Sequence, residues 1–192
     1  MFEEKLQDCK HKTEARLRHR FANIPESSIK DAISYAVLNG GKRLRAFLVL
    51  ESSSIFDIDP VAAEHVAAAV ECLHAYSLVH DDLPSMDNDK YRRGKKTTHY
   101  KYNEFTAILA GCGLLTKSYL TIASKEFNLS GDKKIKLIKL LSEFSGERGL
   151  LLGQYIDLSS SNTKLGERIE LNQLKTGMLM SFCCQAVAIS AG

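Results

Sequence analysis

From Val61 to Val79 the chain is almost continuously apolar, yet this stretch carries Glu64, His65, Glu71 and His74. A lipid-facing helix would hold those ionisable groups only at large cost, so no membrane span is expected and the segment belongs inside a protein. Apolar periodicity marks helices near residues 2–21, 26–39, 42–55, 60–82, 103–127, 131–157 and 167–190. Pro25, Pro60 and Pro84 sit at the edges of these segments, where a first helical turn or a break tolerates them. No hairpin signal separates alternating strands, so the expected class is all-α. Between Asp132 and Phe144 a broad apolar face (Ile135, Ile138, Leu141; Leu137, Leu140, Phe144) opposes four lysines that read as a solvated face. Segments 105–123 and 146–158 have little polar surface, and Gly111, Gly113, Gly146, Gly149 and Gly153 are expected to allow close helix approach.

A chain of 192 residues, 44% hydrophobic, can bury roughly 70% of its unfolded surface in one core, so residues 1–192 are read as a single domain. Its 26 basic and 23 acidic residues leave a formal charge of +3, too little for a dedicated nucleic-acid binder; anion recognition must be local. Five cysteines without metal-ligand spacing, and an N-terminus without a signal-peptide core, point to reduced thiols and a cytoplasmic location. The polar stretch Ser159–Lys164 is the best loop candidate. Met178–Gly192 reads as an apolar helix running to the terminus, so its burial needs something outside this sequence and the chain reads as a truncated piece.

The segment HDDLPSMDNDKYRRG, His80 to Gly94, gathers Asp81, Asp82, Asp87 and Asp89 at the C-terminal end of the long buried helix. Carboxylates there oppose the helix dipole, at about 0.3–1 kcal/mol each, unless a cation compensates. Hard oxygen donors of this kind suit Mg²⁺, which takes few protein carboxylates and fills its shell from water and substrate phosphate. A solvated acidic turn around Pro84 is the plainer alternative. Arg92 and Arg93 follow directly, and guanidinium forks match phosphate oxygens, so the pairing suggests a metal-bridged diphosphate or triphosphate. A second anion site is suggested by GGKRLR, Gly40 to Arg45, where a Gly-Gly turn opens a helix and Lys42 and Arg45 share one face; taken alone, such a run is more often a solvated helix start. His74 lies two turns before Asp81 on the same face, either as a core histidine or as a phosphate contact. Gln154, Asp157 and the Lys175-Thr176-Gly177 run add polar groups and a cation. No serine-hydrolase order, P-loop or dinucleotide fingerprint is present.

Taken together, GGKRLR (40–45), AAAVECLHAYSLVHDDLPSMDND (67–89), RRG (92–94), AILAG (107–111), GQYIDL (153–158) and KTG (175–177) resemble the trans-isoprenyl diphosphate synthase family, most closely its bacterial farnesyl-forming branch. The resemblance covers Asn39 to the C-terminus. It implies an isoprenoid-synthase-type helical bundle around a central diphosphate and Mg²⁺ cavity, acting as a homodimer on isopentenyl diphosphate and an allylic diphosphate, dimethylallyl or geranyl. By motif, Asp81 and Asp87 with Asp82 in support would hold several magnesium ions. Arg92 and Lys175 would meet the allylic diphosphate, and Lys42, Arg45, His74 and Arg93 the isopentenyl diphosphate. Thr176 and Gln154 would face the allylic cation, and Tyr76 and Ser77 would limit chain length, with a core tyrosine as the alternative at Tyr76. The family's second aspartate-rich motif, beyond KTG, has no counterpart here, so the resemblance implies that the C-terminal third is absent and that these 192 residues alone are inactive. Cys112, Lys96 and Asn103 also depart from the family pattern of Asp, Pro and Gly. A geranylgeranyl diphosphate synthase, a terpene cyclase and a non-catalytic modulating subunit remain as alternatives, although a cyclase has no use for a second diphosphate site.

Overall fold

A computed structural model describes residues 2–159 and 164–192, so the centre of the expected 159–164 loop lies outside the described residues. The order is α1 (Phe2–Ala22), α2 (Ser28–Leu38), α3 (Leu44–Ile55), α4 (Pro60–Asp81), β1 (Tyr91–Arg92), β2 (Lys95–Lys96), α5 (Thr98–Lys101), α6 (Glu104–Ala123), α7 (Gly131–Ser145), α8 (Leu150–Ser159), α9 (Leu165–Asn172), a π-helical turn (Gln173–Gly177) and α10 (Met178–Ala191). Side chains set several of the starts. Ser27, Asn103 and Ser130 each accept a bond from a backbone N–H in the first turn, and Asp59 does so ahead of Pro60.

Helix α4 is the axis, sheathed chiefly by α6 and α3, while α10 packs on α7 and α3. Leu73 of α4, Leu114 of α6, Leu137 and Leu141 of α7 and Phe182 of α10 are fully buried in one core. Two stretches, 104–123 and 165–191, are long and apolar enough by length and composition to cross a membrane. Both take part in this core, α6 along α4 and α10 against α7 and α3.

Three expectations need correction. The single helix expected over 131–157 breaks at Gly146 into α7 and α8. A Cβ on Gly149 would stand 2.1 Å from the carbonyl oxygen of Phe144, so Gly146 and Gly149 permit the break rather than a close helix crossing. Gly111, Gly113 and Gly153 do serve close approach, to His80, Ile33 and the backbone of Lys175 respectively. Second, a small antiparallel ribbon joins α4 to α5: Arg92 pairs with Lys95, and the two residues between them, Arg93 (φ 55°) and Gly94 (φ 74°), both take positive φ. That is the two-residue hairpin turn whose twist matches the strands, encoded by X-Gly without flanking alternation. Third, the segment expected as one helix over 167–190 begins at Leu165 and opens into the π-helical turn before α10.

Candidate active site

The C-terminal half of α4 presents His74, Ser77 and Asp81 at helical spacing, and α3, the hairpin, α8 and the π-helical turn close round them. Two adjoining cavities result. The larger, about 490 Å³, is lined by Gly41, Lys42, Arg43, Leu44, Arg45, Glu71, His74 and Arg93. The other, about 90 Å³, is lined by Arg45, His74, Ser77, Leu78, Asp81, Leu150, Gln154, Lys175 and Thr176. Arg45 and His74 belong to both.

The first cavity gathers four basic side chains, Lys42, Arg43, Arg45 and Arg93, against the one carboxylate of Glu71. Arg45 Nη1 lies 3.4 Å from His74 Nε2, and Arg45 Nε is buried without a partner. Burial, then the positive charges of Arg45, Arg93, Arg43 and Arg92, hold His74 well below the usual histidine value, so the imidazole is neutral and can accept a bond. Burial also lowers Arg45. The sequence places Lys42 on the first turn of a helix with Arg45; it lies instead just before the helix, because α3 starts at Leu44 after Arg43 turns to φ 56°. Lys42 and Arg45 still line one cavity. Arg93 Nη1 donates to the Gly40 carbonyl at 2.9 Å, and a Cβ on Gly41 (φ 110°) would stand 2.4 Å from the same nitrogen. The glycine pair therefore lets a guanidinium lie flat on the backbone.

Sequence reasoning missed what holds this loop. Arg43, 6% exposed, donates to Glu71 Oε2 at 3.0 Å, to Glu14 Oε1 at 3.3 Å and to the Val37 carbonyl at 2.7 Å, while Ala46 N–H donates to Glu71 Oε1 at 3.3 Å. The signal was present: Glu71 stands in an apolar run with no Lys or Arg one turn away.

The acidic end divides. Asp81 lines the second cavity. Burial raises its carboxyl to about 6, with Lys175 opposing and Asp87 and Asp82 adding to the rise. Asp87 N–H donates to the Asp81 carbonyl at 2.9 Å, folding the acidic loop back onto the helix end, but its side chain is exposed. Asp82, expected to support the same metal, is turned away: buried, it takes Arg92 Nε at 2.7 Å and Nη2 at 2.6 Å. Arg92, expected to meet the allylic diphosphate, here grips Asp82 with its fork and reaches Asp89 at 3.5 Å. Among the described residues no cluster of three or more His, Cys, Asp or Glu side chains has metal-holding geometry. The donors that face the cavity are hard oxygens, and the difficulty of ionising Asp81 marks a place where a cation would be welcome, so the chemistry fits Mg²⁺.

Opposite Asp81, a Cβ on Gly153 would lie 2.4 Å from Lys175 N, so α8 and the π-helical turn meet backbone to backbone. Lys175 Nζ bonds Asp157 Oδ2 at 2.6 Å, a partner not foreseen for a lysine expected to meet substrate. Gln154 is 8% exposed, and neither its Oε1 nor its Nε2 has a partner; such a group wants a ligand or water in the cavity. Ser77 lines this cavity and Tyr76 does not. The Tyr76 ring is buried, edge-on to His80 at 4.8 Å.

Comparison with known proteins bears on this site. A polyprenyl synthetase profile matches residues 26–192. The chain is 39% identical over 183 residues to the farnesyl diphosphate synthase of Haemophilus influenzae, covering 93% of this chain and 62% of that protein. With the Escherichia coli farnesyl diphosphate synthase it shares 36% identity over 200 residues, covering 100% and 66%. Among solved structures, an FPP/GFPP synthase from Zymomonas mobilis superposes with a TM-score of 0.92 at 35% identity, over 97% of this chain and 69% of that one. A geranyltranstransferase from Thermotoga maritima does so with a TM-score of 0.86 at 33% identity, over 97% and 69%. The chain spans a little under two thirds of the length of the curated relatives.

Proposed function

This chain belongs to the polyprenyl synthetase family, and on that premise we propose that it carries the diphosphate-handling part of a prenyltransferase that joins isopentenyl diphosphate to dimethylallyl or geranyl diphosphate, giving farnesyl diphosphate. The observation that carries the reading is the pair of adjoining cavities, one rich in arginine and one holding Asp81, hinged on Arg45 and His74. Two adjoining cavities, each lined by more basic than acidic side chains, suit two diphosphates, which disfavours a one-substrate cyclase.

In this reading Lys42, Arg45, His74 and Arg93 bind the isopentenyl diphosphate. Neutral His74 accepts from Arg45 and keeps that guanidinium aimed into the cavity. The allylic diphosphate lies by Lys175 and Arg92, with Asp81 and Asp87 as direct Mg²⁺ ligands. Asp82 acts through Arg92. Magnesium, when bound, neutralises the allylic diphosphate and makes it a better leaving group. Arg92 keeps Asp82 and turns from Asp89, and Lys175 turns from Asp157, toward the incoming diphosphate, so substrate binding reshuffles ion pairs already in place. The Gln154 amide oxygen and the Thr176 hydroxyl offer dipoles to the allylic cation. The isopentenyl double bond attacks that cation, and the departing diphosphate takes the proton released as the new double bond forms. Leu78 and Leu150 keep water away from the cation. Tyr76 and Ser77 limit the growing tail. The enzyme acts in the cytoplasm as a homodimer, for which Phe105, Leu109 and Leu120 give α6 an exposed apolar face.

The test is a steady-state assay of extractable prenyl product from isopentenyl and geranyl diphosphates, with the chain expressed in its complete reading frame. Activity requires Mg²⁺, and Asp81→Ala or Asp87→Ala removes most of it. Rates within threefold of the parent in either variant would overturn the assignment.

A further inference from the structure

The hairpin that supplies Arg92 and Arg93 has an outer side that the proposed chemistry does not use. Tyr91 and Tyr100 are 59% and 43% exposed, with rings edge-to-face at 5.7 Å. Lys90 and Lys96 hold their ammonium groups 5.7 and 5.3 Å from the Tyr100 ring centre. The Tyr35 hydroxyl donates to the Lys96 carbonyl at 2.6 Å, and Lys101 sits 3.6 Å from the Tyr35 ring centre. One continuous surface therefore carries Lys90, Lys95, Lys96 and Lys101 round two exposed tyrosines. Among the described residues none of the four lysines forms an ion pair. Asp89, the acid next to them in sequence, is shared with Arg92.

The geometry points to a docking surface for a bilayer rich in anionic phospholipid, formed by Lys90, Lys95, Lys96 and Lys101 with Tyr91 and Tyr100. Unpaired lysines on flexible stems meet the diffuse charge of a headgroup layer. Tyrosine suits the boundary of such a layer, with an apolar ring and a hydroxyl that stays wet. Single-stranded RNA is the competing polyanion, but it is held by bases stacking on open aromatic faces. Here lysine ammoniums lie over the Tyr100 and Tyr35 rings, which leaves Tyr91 as a single stacking platform where a strand needs several in succession. Because Arg93 reaches inward from the same hairpin to the larger cavity, docking would hold the site beside the lipid surface. The inference stands whether or not the proposed reaction is correct.

The experiment is co-sedimentation of the purified protein with phosphatidylcholine vesicles and with vesicles containing phosphatidylglycerol, each at low and high salt. Binding is expected on anionic vesicles only, falling as salt rises. The Lys95→Gln/Lys96→Gln/Lys101→Gln variant, shown folded by circular dichroism, is expected to lose on the order of 100-fold in partitioning, about fivefold for each lysine removed. Equal sedimentation with neutral vesicles, salt-insensitive binding, or an unaltered triple variant would each overturn the proposal, and so would tighter binding to poly(U) RNA than to anionic vesicles. The lipid and salt comparisons need only the parent protein, so they decide the matter even if the triple variant does not fold.

Discussion

Removing Glu71 tests the architecture beneath the anion cradle. In Glu71→Ala, Arg43 loses its bond to Glu71 Oε2 and Ala46 N–H loses its acceptor. Arg43 stays buried, with Glu14 at 3.3 Å and the Val37 carbonyl at 2.7 Å as its remaining partners. Deleting one partner of a buried ion pair costs about 3–5 kcal/mol, because the survivor is left uncompensated. Glu14 supplies part of that compensation, which puts the expected loss near 3 kcal/mol. Urea denaturation at neutral pH, followed by circular dichroism, measures it as a lower midpoint at unchanged slope. The double variant Arg43→Met/Glu71→Leu removes both charges and should recover at least half of the loss, since an apolar pair of similar volume carries no desolvation penalty. A loss under 1 kcal/mol in Glu71→Ala, or a double variant less stable than that single one, would refute the argument that this pair supports the loop.

Gly41→Ala should cost about 1–3 kcal/mol through its positive φ, and should raise the KM for isopentenyl diphosphate by displacing Arg93; kinetics in both substrates checks this against a uniform fall in kcat. His65 is buried with its Nε2 unpartnered and stacked on Phe127 at 5.3 Å, and burial lowers its pKa. The unfolded chain therefore binds a proton as pH falls below about 6.5 that the folded chain resists, so stability is lost on acidification, at up to about 1.4 kcal/mol per pH unit. His65→Leu should flatten that loss in denaturation curves taken between pH 7 and pH 5. Tyr76→Ala should shift the product to twenty carbons or longer, and Ser77→Phe should shorten it; chromatography showing only fifteen-carbon product from both variants would place the length stop elsewhere, with Leu73 one turn below as the next candidate.

The helices were legible where the apolar pattern ran long, as in the nearly unbroken run of α4 and the one-sided face of α7. Candidate site residues on α4 could be picked out because ionisable groups such as His74 in an apolar stretch need a reason. Partners were not. Nothing in the order of residues says that Asp82 takes Arg92 or that Lys175 takes Asp157, since both pairs join segments whose approach is set by tertiary packing. The break at Gly146 escaped notice because the apolar pattern continues through it. The Arg93-Gly94 turn was hidden by strands too short to show alternation.

The wide turn at Gln173–Gly177 sets the phase of everything after it. A π-helical turn accommodates one residue more than the α-helix it interrupts, and one residue corresponds to about 100° of rotation about the axis. Lys175 and Thr176 lie on the dilation itself, while Phe182, Cys183 and Ala186 are buried beyond it. If the turn tightened to α-geometry, the inward stripe of α10 would swing a quarter-turn away from α7 and α3, whatever side chains it carried. Cavity and core are thus tuned by the same five residues: deleting one between 173 and 177 would remove the residue that the wide turn accommodates, so an α-helical turn would carry α10 on in its present phase while Lys175 and Thr176 were displaced from the cavity wall.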